Sequence, residues 1–183
     1  MDADRSDEQL MLDYAAGDAL AFDVLYARHR AALFRFLLRG LSHRAQAEEC
    51  FQEVWTRVIS ARARYRPEAA FSTWLYRIAH RLLIDQYRRH TAETLDPTAD
   101  DNALARLPDE APEPAHALSD FEQRRRLQHA LATLPDEQRI AVQLRLEQEL
   151  SLEAIGEITG VGRETVKSRL RYALDRLRAR LSQ

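Results

Sequence analysis

Between Phe71 and His90 the chain reads FSTWLYRIAHRLLIDQYRRH, a run in which guanidinium groups alternate with aromatic rings. At about 100° per residue, Leu75, Ile78, Ala79 and Leu82 share one face of a helix and Arg77, His80, Arg81, Ile84 and Arg88 the other. Trp74, Tyr76 and Tyr87 are interspersed. Rings offer π-faces on which unstacked bases can lie, and arginines offer cations for phosphate. Phe71 and Trp74 also suit a second role as anchors of a core. A second cationic run, Arg163 to Arg180, follows the tight turn at Gly160. There Val166, Leu170, Ala173, Leu174 and Leu177 form an apolar face, leaving Glu164, Ser168, Arg171 and Tyr172 to point away from it.

Both runs carry the same charge. From Arg62 to Arg89 seven bases face two acids, and from Arg163 to Arg180 seven bases again face two acids, so each is +5. A single charged run is usually a solvated face, but two on one chain fit a bivalent grip on one long polyanion. The whole chain is -2, so the cationic signal is local. A third surface has the opposite sign. In AEECFQEVWTRV, Glu48, Glu49, Gln52 and Glu53 line one side of a helix and Phe51, Val54, Trp55 and Val58 the other. An acidic, amide-bearing face repels DNA and suits a protein partner.

Other chemistries find no support. The six histidines His29, His43, His80, His90, His116 and His129 are scattered, no HExxH or CxxC occurs, and no pair of groups carries the spacing of a metal site or catalytic triad, so no metal, cofactor or catalytic residue is expected and the chain reads as no enzyme. The lone cysteine, Cys50, forms no disulfide framework and reads as a small apolar helix residue. The start MDADRSDEQL lacks the basic and apolar parts of a signal peptide, and no apolar run approaches a membrane span. A cytoplasmic protein without membrane insertion is expected.

The elements that must position these residues are helices. With five glycines among 183 residues, 45% hydrophobic content and apolar positions recurring at three and four, the chain reads as all-α. Helices are expected near 7–16, 19–39, 43–64, 72–90, 120–132, 136–147, 151–159 and 163–181. Ser72 and Ser151 are the expected N-caps, and Gly40 and Gly160 the C-terminal stops. Leu152, Ile155 and Ile158 form the buried side of the seventh helix, Gly160 takes a positive φ, and Gly156 permits close approach of a crossing helix. Together with the last helix this is a helix-turn-helix pattern.

Composition changes between Thr91 and Ser119. Four of the six prolines lie there, with seven acids against Arg106 alone, a net -6. That stretch reads as an extended, poorly ordered, acidic linker at 91–118 between two helical domains, 1–90 and 119–183.

At these residues the chain resembles the extracytoplasmic-function sigma factors, the small class of the sigma-70 family that keeps only regions 2 and 4. AEECFQEVWTRV is similar to the segment that docks on the clamp helices of RNA polymerase. FSTWLYRIAHRLLIDQYRR resembles the segment that melts and reads the -10 element. LATLPDEQRIAVQLRLEQELSLEAIGEITGVGRETVKSRL resembles region 4, with TVKSRL matching closely. The likeness spans about Ala21 to Leu177 apart from the linker. Arg81 departs from a frequent asparagine, Gly156 from a common alanine, and Glu164 from a glycine that often precedes TVKSR.

What the resemblance implies is a transcription initiation factor. Glu48, Glu49, Gln52 and Glu53 would bind core polymerase. Arg64, Phe71, Trp74, Arg77, His80, Arg81 and Arg88 would capture unpaired -10 bases, with the loop from Arg64 to Phe71 as the base pocket. Arg163, Glu164, Thr165, Lys167, Ser168 and Arg171 would read duplex DNA at -35 in the major groove. The resemblance also implies an anti-sigma factor masking both DNA surfaces, and a linker following the path of nascent RNA. The alternative reading of the residues is a helix-turn-helix regulator that binds duplex DNA without polymerase.

Overall fold

The structure, a computed structural model, describes residues 5–41, 43–93 and 117–182, and within them the side chains of all but 90–93 and 117–124. All regular structure among these residues is helical: α1 (Asp7–Ala15), α2 (Ala19–Gly40), α3 (Arg44–Ala61), a 3-10 turn at Arg62–Arg64, α4 (Phe71–Glu93), α5 (Ala117–Ala132), α6 (Asp136–Leu146), α7 (Leu152–Thr159) and α8 (Arg163–Leu181). Of the expected linker, only its two helical ends, 91–93 and 117–118, lie within the described residues.

Local chemistry sets most helix starts. The Ser6 hydroxyl accepts from the Gln9 amide at 3.2 Å, and the Asp18 carboxylate accepts from the Leu20 and Ala21 amides at 3.1 and 3.4 Å. Ser151 accepts from Ala154 at 3.1 Å, as expected of an N-cap. Ser72 does not cap α4, because the helix begins one residue earlier. The Phe71 amide instead donates to Glu8 Oε1 at 2.7 Å, so the cap comes from α1. Gly160 ends α7 at φ 72°, in the left-handed region. Gly40 is the last residue of α2, without a left-handed φ, and lies against α4, where an added Cβ would lie 2.7 Å from Leu83 Cδ1.

Apolar residues spaced at three and four seal the bundle of α2, α3 and α4. Leu25, Leu33, Phe36 and Leu37 from α2 meet Ala47, Cys50, Val54 and Val58 from α3 and Phe71, Leu75, Ala79 and Leu83 from α4, nearly all fully buried. A buried side chain of this size contributes about 1.5–3 kcal/mol. Leu10 and Met11 cap one end of the bundle from α1. Burial also pushes the Cys50 thiol above its ordinary pKa, which suits the apolar role read from sequence.

The same core continues into the second half of the chain. Ile140, Leu144, Leu150, Ile155, Ile158 and Val166 join the cluster built by α1 to α4, while Ala130, Leu134, Val142, Ala173 and Leu177 form a smaller cluster of their own. Helix α7 packs along α4, and α6 touches α2. A domain organisation of two halves across a tether does not by itself foresee this shared core.

Candidate nucleic-acid interface

Helix α8 presents its cationic face to solvent. Arg163, Glu164, Thr165, Lys167 and Arg171 are exposed, Ser168 is half-buried, and Val166, Ala173 and Leu177 point into the fold. Leu174, expected on the apolar face, is 39% exposed. The turn that aims this helix is tight: a Cβ on Gly156 would meet the Val161 carbonyl oxygen at 2.7 Å. The missing side chain therefore makes room for the turn's own backbone rather than for a crossing helix.

The charges on α8 are not equivalent. Arg163 Nε donates to Glu153 at 2.6 Å and its Nη1 lies 3.3 Å from Glu164, so Arg163 ties α8 back to α7. The Glu153 carboxyl is held below its usual range by its own backbone amide and then by Arg163. Lys167 lies 3.8 Å from Glu164. Such exposed pairs contribute at most about 1 kcal/mol each and open readily for a phosphate. Arg171 contacts its neighbour instead, its guanidinium 4.9 Å from the centre of the Tyr172 ring. Arg169 is turned inward and bonds Glu137 at 2.6 Å, which makes it a brace between α6 and α8.

The α4 surface divides differently. Arg64, Arg81 and Arg88 are exposed, and Trp74 is half-buried. Phe71 is fully buried, so the expectation that it stacks on a base is corrected: its ring fills the core between Tyr65 and Trp74, with centroids 6.3 and 5.8 Å away. Arg77 faces α7, and His80 lies near Arg169 of α8. Arg77 lies 3.7 Å from Glu157, and burial, followed by the charges of Arg169 and Arg81, holds the His80 imidazolium below its ordinary pKa. The helix expected to meet unpaired bases thus has half of its polar face against the helix-turn-helix.

Polar groups cross this junction. Tyr87 Oη donates to the Gly40 carbonyl at 2.7 Å and accepts from Arg139 Nη2 at 3.1 Å, and Arg139 also bonds Asp136 at 2.5 Å. Arg39 pairs with Glu147. Arg139 and Gln143, buried at 9% and 1% exposure, were invisible as junction residues in the sequence, where α6 reads as an ordinary amphipathic helix. Among the described residues, buried polar atoms of Tyr76, Arg77, Arg139 and Gln143 have no hydrogen-bond partner.

On α3 the four polar residues do share one face. Glu48, Glu49 and Gln52 are exposed and Glu53 half-buried, while Val54, Trp55 and Val58 pack inward. Glu48 is engaged by Arg44 and Glu53 by Arg57, each at 2.8 Å along the helix. Glu49 and Gln52 have no side-chain hydrogen bond or ion pair among the described residues. No group of residues able to hold a metal ion occurs among the described residues, and no described helix is long and apolar enough to cross a membrane.

Comparison with known proteins matches two family models in chain order: Sigma-70 region 2 over residues 25–93, and Sigma-70, region 4 over residues 130–179. The ECF RNA polymerase sigma factor RpoE of Cereibacter sphaeroides is 32% identical over 166 residues, covering 90% of this chain and 88% of that protein. The ECF RNA polymerase sigma factor SigM of Mycobacterium tuberculosis is 32% identical over 174 residues, covering 95% and 84%. Among solved structures, the sigma factor RpoE of Bartonella quintana, in complex with the anti-sigma factor NepR, shares the fold at a TM-score of 0.74 and 22% identity over 88% of this chain and 96% of that one. CnrH, in complex with the cytosolic domain of CnrY, matches at a TM-score of 0.71 and 21% identity over 97% and 98%. The region 2 match holds the arginine–aromatic helix and the acidic face of α3, and the region 4 match holds the helix-turn-helix. The chain therefore belongs to the extracytoplasmic-function sigma factors of the sigma-70 family, transcription initiation factors that join core RNA polymerase and direct it to promoters.

Proposed function

We propose a division of labour along the chain. Residues 1–90 dock on polymerase through Glu48, Glu49, Gln52 and Glu53 and capture unpaired -10 bases with Arg64, Trp74, Arg77, His80, Arg81 and Arg88. Residues 119–183 read the -35 duplex with α8, where Arg163, Glu164, Thr165, Lys167, Ser168 and Arg171 lie in the half of the helix that enters the groove. The observation that carries this reading is that two arginine-rich runs of equal charge lie on opposite sides of the expected linker, while α3, ahead of both in the chain, turns an acidic face to solvent. The factor acts in the cytoplasm, with no catalytic residue or cofactor of its own.

Geometry also favours a resting and a working form. Elements centred at -35 and -10 are separated by about 85 Å at about 3.4 Å per base pair. A compact chain of this length has a radius of gyration of about 16 Å. The packed halves cannot reach both elements, so α7 leaves α4 when the promoter is bound. Residues 94–116, between the two helical ends, can span up to about 80 Å, which together with the width of the two halves is enough for that separation. The packed form half-buries Arg77 and His80 and leaves α8 open, and an anti-sigma factor that completes the masking would follow from the complexes formed by its structural neighbours.

Run-off transcription with purified core polymerase on genomic fragments tests the proposal. Promoter-specific transcripts that require this protein are expected. Duplex DNA binding without any effect of polymerase would instead indicate a free-standing regulator.

A further inference from the structure

The base-reading loop is held in place by the far end of the chain. Its two ends, Tyr65 and Phe71, are buried at 4% and 0% exposure and share an aromatic cluster with Trp74, the Tyr65 and Trp74 centroids lying 5.0 Å apart. Between them Arg66, Pro67, Glu68 and Ala70 are exposed. Two consecutive carboxylates of α1 converge on Phe71. Glu8 Oε1 accepts the Phe71 amide at 2.7 Å, taking one of the four donors that the start of α4 leaves unpaired. Asp7 Oδ2 lies 2.6 Å from His29 Nε2, and the His29 ring packs 5.2 Å from the Phe71 ring. Arg28 completes the set at 2.7 Å from Asp7 Oδ1.

We propose that Glu8, supported by Asp7 through His29, is a positioning residue for -10 reading: it fixes the residue at which α4 begins and thereby the register of the 65–70 loop against Trp74, Arg77 and Arg81. This rests on the reading that the loop receives -10 bases. Without that acceptor the first turn of α4 frays, since the buried Leu75, Ala79 and Leu83 hold the helix only further along, and the 65–70 loop loses its fixed position relative to Trp74, Arg77 and Arg81. Among the described residues, Glu8 of α1 is the side-chain acceptor for the Phe71 amide. The role was hidden in sequence because Glu8 and Phe71 are 63 positions apart.

The test uses holoenzyme assembled from the full chain and core polymerase, scored on a library of -10 sequences and by permanganate reactivity of promoter thymines. Glu8→Ala should flatten the -10 preference about ten-fold while polymerase assembly and -35 duplex affinity stay within two-fold. Glu8→Gln, which keeps an acceptor oxygen on the same stem, should retain most of the preference. A uniform loss on every -10 sequence, or a Glu8→Ala enzyme with unchanged preference, overturns the proposal. If Glu8→Ala fails to assemble, Asp7→Asn is read the same way, with a smaller loss expected and an unchanged preference equally fatal. Replacing residues 66–69 by glycine and serine separates the two layers. If that change abolishes the preference and Glu8→Ala does not, positioning alone fails, and if it changes nothing, the base-reading loop and the proposal fall together.

Discussion

Replacing Tyr87 by phenylalanine should loosen the contact between the two halves without touching either DNA-reading face. The Tyr87 hydroxyl donates to Gly40 within the first half at 2.7 Å and accepts from Arg139 in the second at 3.1 Å. Only the second bond crosses the junction. Loss of the Gly40 bond weakens closed and open forms alike and cancels from their ratio. A hydrogen bond to a charged donor in a buried setting contributes about 1–2 kcal/mol net, because water replaces it on opening. The open fraction of Tyr87→Phe should therefore rise about 5- to 30-fold, up to the ceiling of full opening. Apparent affinity scales with the competent fraction, so free Tyr87→Phe should bind a single-stranded -10 oligonucleotide more tightly by the same factor. The -35 duplex, read by exposed residues of α8, should bind as before. Energy transfer between a label on α2 and one on α8 reports the separation directly. Unchanged label distance together with unchanged -10 strand affinity would refute the reasoning, since it would mean that the junction does not gate α4.

Three further outcomes are expected. Because burial depresses the His80 pKa below its ordinary 6.5, the open form binds the extra proton; closure is complete above about pH 6.5 and weakens as pH falls through that value, and His80→Gln should remove this dependence from the label-distance titration. Glu49→Arg with Gln52→Arg should abolish holoenzyme formation while helicity and α8-mediated duplex binding persist, and normal assembly on a sizing column would refute the docking assignment. Arg171→Ala should relax preference at one or two -35 positions, by about 1–3 kcal/mol at the base it contacts, whereas Lys167→Ala should weaken all sequences and reduce the salt slope by about 1; a -35 library at two salt concentrations distinguishes them.

What the sequence determined by itself is what depends on near neighbours in the chain. Apolar residues at three and four set the helices, Ser151 and Gly160 set the ends of α7, and the arginines of α8 fall outside because Val166, Ala173 and Leu177 must go in. The order of the motifs was enough to indicate the family, since each motif is a local pattern. The tertiary structure decided whatever depends on partners distant in sequence. Ser72 does not cap α4, because the helix starts one residue before it and the Phe71 amide is taken by Glu8, 63 positions away. Gly40 ends α2, and the tertiary structure sets Leu83 against it. Phe71 went into the core, since a ring between Tyr65 and Trp74 buries more apolar area than one held out for a base. Arg169 looked like one more cation on a basic helix until Glu137 claimed it. The junction itself was beyond reach of any periodicity: Ile155 and Ile158 read only as a buried side, and periodicity says that a face is covered but not by which helix, so only the assembled chain shows α7 lying on α4.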